Sequence, residues 1–122
     1  AIGARGTDAA ETALALPSGG IALSRQITIA NQLHELRVIP LQTEPNQVWR
    51  FELQNLTLGG QIAPGTTLRL LSEDLQPFPD NEDTAIEAVD RLYIDVALAA
   101  GEGIVWEVEP APIDYDLEIL RF

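Results

Sequence analysis

The chain has no cysteine, no lysine and no methionine, and it has one histidine, His34. Each absence excludes something. Without cysteine there is no disulfide, no thiolate nucleophile and no sulfur ligand for a metal. With one histidine there is no His-based acid–base pair, the commonest device for proton transfer near neutral pH. Ser18, Ser24 and Ser72 stand alone, and none lies in a Gly-x-Ser-x-Gly elbow. No apolar run approaches the roughly 18–20 residues of a membrane-spanning helix, so no membrane insertion is expected. The missing lysine fits a saline setting or a GC-rich genome equally well.

Charge of one sign is scarce. Nineteen acids face seven arginines in 122 residues, for a net charge of −12. Residues 1–61 hold 5 acids and 4 Arg, whereas residues 62–122 hold 14 acids and 3 Arg. Such a surface repels phosphate backbones and anionic lipid, so no nucleic acid is expected as a partner. Cations and basic protein surfaces are favoured, and the acidity also keeps the chain soluble.

What is present is a core-forming β pattern. Apolar residues make up 46% of the chain. Residues 1–20 read as an N-terminal arm, with a candidate strand at Thr12–Leu16, and residues 21–122 as one domain. Ala1 followed by small residues suits a chain released by signal peptidase. A strand is expected from Gly20 to Ile29. From Ala30 to Ile39 the spacing of Ile29, Leu33, Leu36 and Val38 approaches a helical period, but Leu33–Ile39 is read as strand. Val48–Leu58 is the clearest strand, with Trp49, Phe51 and Leu53 alternating against Arg50, Glu52 and Gln54. Leu56 and Leu58 then fall on the other parity, which predicts a β-bulge or a change of sheet near Gln54–Asn55.

Pro64-Gly65 fits a type II turn with Gly at positive φ. Thr66–Leu71 follows as strand. Ser72–Asp90 is an acidic connection in which Glu82–Val89 could form a helical turn. Arg91–Leu98 and Ile104–Val108 alternate cleanly, and Tyr115, Leu117 and Ile119 close the chain opposite Asp116 and Glu118. About seven strands punctuated by turns predict an all-β fold, an antiparallel β-sandwich.

Few residues carry chemistry. Glu107 with Glu109, and Asp116 with Glu118, lie about 7 Å apart on single strand faces, a spacing open to glycoside hydrolysis. Alternation on a wet strand explains it fully. Asp80, Glu82 and Asp83 form the densest oxygen cluster and are the candidate metal ligands, calcium being the cation that wants six to eight oxygens. The Asp-x-Asp-x-Asp-Gly spacing is absent, and no other cofactor is expected. Trp49 and Trp106 are in phase with the core. Tyr93 is out of phase and is the better candidate for stacking on a sugar. Asn55-Leu56-Thr57 matches the glycosylation sequon.

The stretch from Leu68, LRLLSEDLQPFPDNEDTAIEAVDRLYIDVALAAGEGIVWEVEPAPIDYDLEILRF, resembles the C-terminal β-rich part of an uncharacterised cyanobacterial family. That resemblance implies a cyanobacterial source and a non-enzymatic interaction role. The expectation is a structural or protein-interaction module with a protein partner or self-assembly, its arm serving as an added strand. An extracellular or cell-surface setting is favoured. The alternative is a carbohydrate- or calcium-binding module.

Overall fold

The computed structural model describes residues 10–14, 20–42 and 45–122, without the side chains of Ala10 and Gln42. Among them are nine strands and no helix: β1 Ala10–Ala13, β2 Leu23–Ile29, β3 Gln32–Gln42, β4 Val48–Asn55, β5 Thr67–Ser72, β6 Glu82–Thr84, β7 Arg91–Ala97, β8 Gly103–Glu109 and β9 Glu118–Arg121. Among the described residues, no helix is long and apolar enough to cross a membrane. The strands form a five-stranded sheet, β1-β9-β8-β5-β6, and a four-stranded sheet, β2-β3-β4-β7. All pairs are antiparallel except β1 with β9, which is parallel. This is a β-sandwich, as the pattern predicts.

Alternation builds the core. Ile27, Leu36, Val38, Trp49, Phe51, Leu53, Leu92 and Ile94 point inward from the four-stranded sheet, and Leu68, Leu70, Ile104, Trp106, Val108 and Leu120 from the other. Phe122 seals one end, its ring edge-on to Trp49 at 4.8 Å and to Phe51 at 6.0 Å. Both tryptophans are thus core residues. Gly65 has φ of 89°, as the turn reading requires.

Leu33–Ile39 is strand, as read, and lies within β3; Ala30 and Asn31 take positive φ and make a two-residue hairpin that sends β3 back along β2. Three expectations are corrected. No bulge lies at Gln54–Asn55. β4 stays in register with β3 and β7 and then ends, so Leu56 is a continuation of the outer face and is part-exposed; the register shift lies between Pro40 and Gln42. Glu82–Thr84 is a strand, because pairing with β5 overrides its weak helical preference. In β9 the faces are reversed: Glu118 and Leu120 are buried, although the sequence places Tyr115, Leu117 and Ile119 inward. Of the arm, residues 10–14 belong to the sandwich, with β1 at Ala10–Ala13, while residues 1–9 and 15–19, including the last two positions of the candidate strand at Thr12–Leu16, lie outside the described residues.

Candidate functional site

The most elaborated polar site is where the arm meets β9. β1 runs alongside β9 with Ala10 opposite Glu118 and Ala13 opposite Arg121. The ladder continues into Leu14, whose N–H donates to the Arg121 carbonyl at 2.8 Å, and whose side chain packs on the core. Side chains at both ends of β9 engage the arm. Thr12 Oγ1 donates to Glu118 Oε2 at 3.2 Å. Arg121 Nη2 donates to Glu11 Oε2 at 2.6 Å and to Glu73 Oε2 at 2.8 Å.

Glu118 is the hub, only 8% exposed. Its Oε1 accepts from Arg25 Nε and from the Trp106 indole Nε1, each at 2.9 Å, and its Oε2 accepts from Arg25 Nη2 at 3.0 Å. Burial pushes this carboxyl up. Hydrogen bonds from Arg25 and Trp106, the Arg25 charge and the Thr12 hydroxyl together outweigh it, so the group is held below the usual carboxylate range. The Arg121 guanidinium is raised by its hydrogen bonds to Glu73 and Glu11, and the Glu73 carboxyl is correspondingly lowered. The chemistry of the site is recognition of an extended strand: main-chain bonds, one hydroxyl and one carboxylate read by a buried carboxylate and a guanidinium. Arg25, Trp106 and Glu118 also border a cleft of about 250 Å³ whose rim carries Asp114 and Asp116.

The candidate metal ligands are not brought together. Glu82 and Asp83 are consecutive on β6, so their side chains leave opposite faces. Glu82 accepts from Arg69 Nε at 2.8 Å, and Asp83 accepts the Tyr93 N–H at 3.1 Å. Asp80 lies in the preceding turn at φ 60°. No group of three or more His, Asp or Glu is placed to hold a metal ion among the described residues.

The paired carboxylates are likewise engaged. Glu107 and Glu109 both accept from Arg69 Nη1, at 3.0 and 2.7 Å, and these bonds with that of Glu82 raise the Arg69 guanidinium. His34 is buried, and its Nδ1–H donates to the Gln32 carbonyl at 2.9 Å. Tyr93 is 43% exposed, but Arg50 sits 4.4 Å and Arg91 5.5 Å from its ring centroid. The Asn55 amide nitrogen donates to Gln32 Oε1 and to the Gln61 carbonyl.

Two functional-site residues were not recoverable as such from the sequence. Glu118 reads as a wet alternating position, and Thr12 as one small residue of a weakly patterned arm. The usable signal was Trp106: a buried indole N–H usually needs an acceptor, and an acidic strand nearby could supply it.

Fold and site together define an all-β sandwich whose N-terminal arm closes one sheet as a parallel edge strand. Residues 2–121 match the model of a family described as a protein of unknown function, DUF1822, and the chain belongs to that family. The match covers the arm and both sheets, so the likeness is not confined to the residues from Leu68 onward. No curated protein and no solved structure matches the chain.

Proposed function

We propose that this protein is a non-catalytic structural or protein-interaction module that uses its N-terminal arm as an exchangeable strand. The observation that carries the reading is β1 itself. It is the one parallel strand among the described residues and it sits at a sheet edge. Its hold on β9 comprises main-chain bonds, Thr12 on Glu118 and Glu11 on Arg121. An equivalent strand from a second chain can make the same bonds, which is how strand addition joins subunits. The resemblance of its C-terminal part supports a cyanobacterial source, and a strand-exchanging subunit suits an extracellular or cell-surface setting.

The test is competition in trans. A labelled peptide of residues 1–16 should bind the full chain by replacing its own β1, with fluorescence anisotropy rising at micromolar to millimolar chain concentrations. The same peptide with Thr12→Pro, which lacks an N–H and the hydroxyl, should bind at least tenfold more weakly. Absence of binding at millimolar chain, or equal binding of both peptides, would remove the support for the arm as an exchangeable strand.

A further inference from the structure

The outer face of the four-stranded sheet stands apart from the rest of the surface. Its central positions carry Glu35, Glu52 and Asp95 against Arg37, Arg50 and Arg91, which sum to zero. The other 16 acids and 4 arginines therefore hold the whole net charge of −12. The neutrality is built by direct pairing across strands. Arg37 Nη2 donates to Glu52 Oε1, Arg91 Nη1 to Glu52 Oε2 at 2.9 Å, and Arg50 forks onto Asp95 at 2.8 and 3.0 Å. Gln54 and Ser24 both donate to Glu35.

These side chains lie flat. Glu52 occupies an outward position and is nevertheless only 2% exposed, covered by its neighbours. Above this floor stand Tyr93 at 43% and, side by side at one end, Leu33 at 42% and Leu56 at 39% exposure. The Leu56 N–H donates to the Leu33 carbonyl at 2.8 Å, so the two residues are adjacent across the strands.

We propose that this face is a self-association surface that takes the same face of a second copy. Three arguments select that occupant. First, two molecules of charge −12 repel wherever acidic surface meets acidic surface, and this neutral face lets them approach without that cost. Second, arginine and tyrosine are enriched at the core of protein interfaces, and Tyr93 already has the Arg50 and Arg91 guanidinium groups 4.4 and 5.5 Å from its ring centroid. Third, a two-fold operator makes a patch its own partner, and a face with three arginines and three carboxylates presents opposite charges in equal number to its copy. Four strands of seven residues span roughly 19 by 23 Å. That area places the contact at the small end of specific interfaces, a reversible dimer. The surface is separate from the β1–β9 edge and does not depend on the arm.

Sedimentation equilibrium of the full chain tests it. A monomer–dimer equilibrium is expected at tens to hundreds of micromolar, and it should strengthen between 0.05 and 0.5 M NaCl as salt screens the residual repulsion between the copies. Leu33→Glu and, separately, the nearly isosteric Gln26→Glu place an unpaired negative charge on the face. Each should weaken the dimer at least tenfold, with circular dichroism and unfolding midpoint showing that the fold is kept. Thr12→Pro, which disturbs the arm, should leave the dimer unchanged. A chain that stays monomeric at 500 µM in 0.5 M NaCl overturns the proposal. So does a dimer that survives both face variants, and if that dimer is lost in Thr12→Pro the arm reading stands while the face reading falls.

Discussion

Glu52 and Glu118 are both buried carboxylates on strands, and each is held by arginine. Removing one partner of such a group leaves the other uncompensated, at a cost of about 3–5 kcal/mol when fully buried. Arg91 is half-exposed and Arg37 partly so, which places Glu52→Gln at about 2–3 kcal/mol. Glu107→Gln should cost under about 1 kcal/mol, since Glu107 is a third exposed and Arg69 retains Glu82 and Glu109. Urea unfolding of the two variants checks the contrast, and equal midpoints would show that burial of Glu52 carries no energetic weight.

Glu118 adds a pH dependence. Its folded pKa lies below the unfolded value of about 4.3. Its stabilisation is therefore fully present above that value and is lost as pH falls through the folded pKa. The stability gap between the wild-type chain and Glu118→Gln should be constant from pH 7 to about 5 and shrink below about 4. Thermal melts followed by tryptophan emission measure it, and a gap that widens with acid would contradict the assigned direction.

At the scale of elements, the β2–β3 hairpin carries visible strain. Ala30 and Asn31 sit at φ 49° and 64°, and the left-handed region costs a residue with a Cβ roughly 1–2 kcal/mol. Asn-Gly is the preferred pair for this two-residue turn. The double substitution Ala30→Asn with Asn31→Gly should raise stability by about 1 kcal/mol, read as a higher urea midpoint at unchanged slope. A fall in midpoint would mean that Ala30 makes a packing contact outweighing the turn. The turn at residues 56–66 is less tolerant: a Cβ at Gly60 would come within 2.7 Å of the Asn55 side chain, which is itself held by Gln32 and Gln61.

For the whole molecule, the net charge of −12 sets a salt response. Self-repulsion destabilises a compact acidic chain, while its exposed ion pairs contribute little. Raising NaCl from 0.02 to 0.5 M at micromolar protein, where dimers are absent, should lift the melting temperature by about 3–6 °C, equivalent to about 1–1.5 kcal/mol. A falling melting temperature would show that the arginine networks outweigh the net charge.

The amino-acid sequence by itself determined that this is an all-β sandwich and where most strands lie. Period-two alternation is a local signal, and it is clean in Trp49–Leu53, Arg91–Leu98 and Ile104–Val108. The Pro64-Gly65 turn is local in the same way. Pairing is not local, and tertiary structure decided it. β1 finds β9 more than a hundred residues away, and once Trp106 and Arg25 surround β9, Glu118 turns inward against its own alternation. The same holds for charge. The sequence shows nineteen acids and seven arginines, but only the strand order brings Arg37 and Arg91 onto Glu52 and Arg50 onto Asp95, because cross-strand neighbours are set by register and not by distance along the chain.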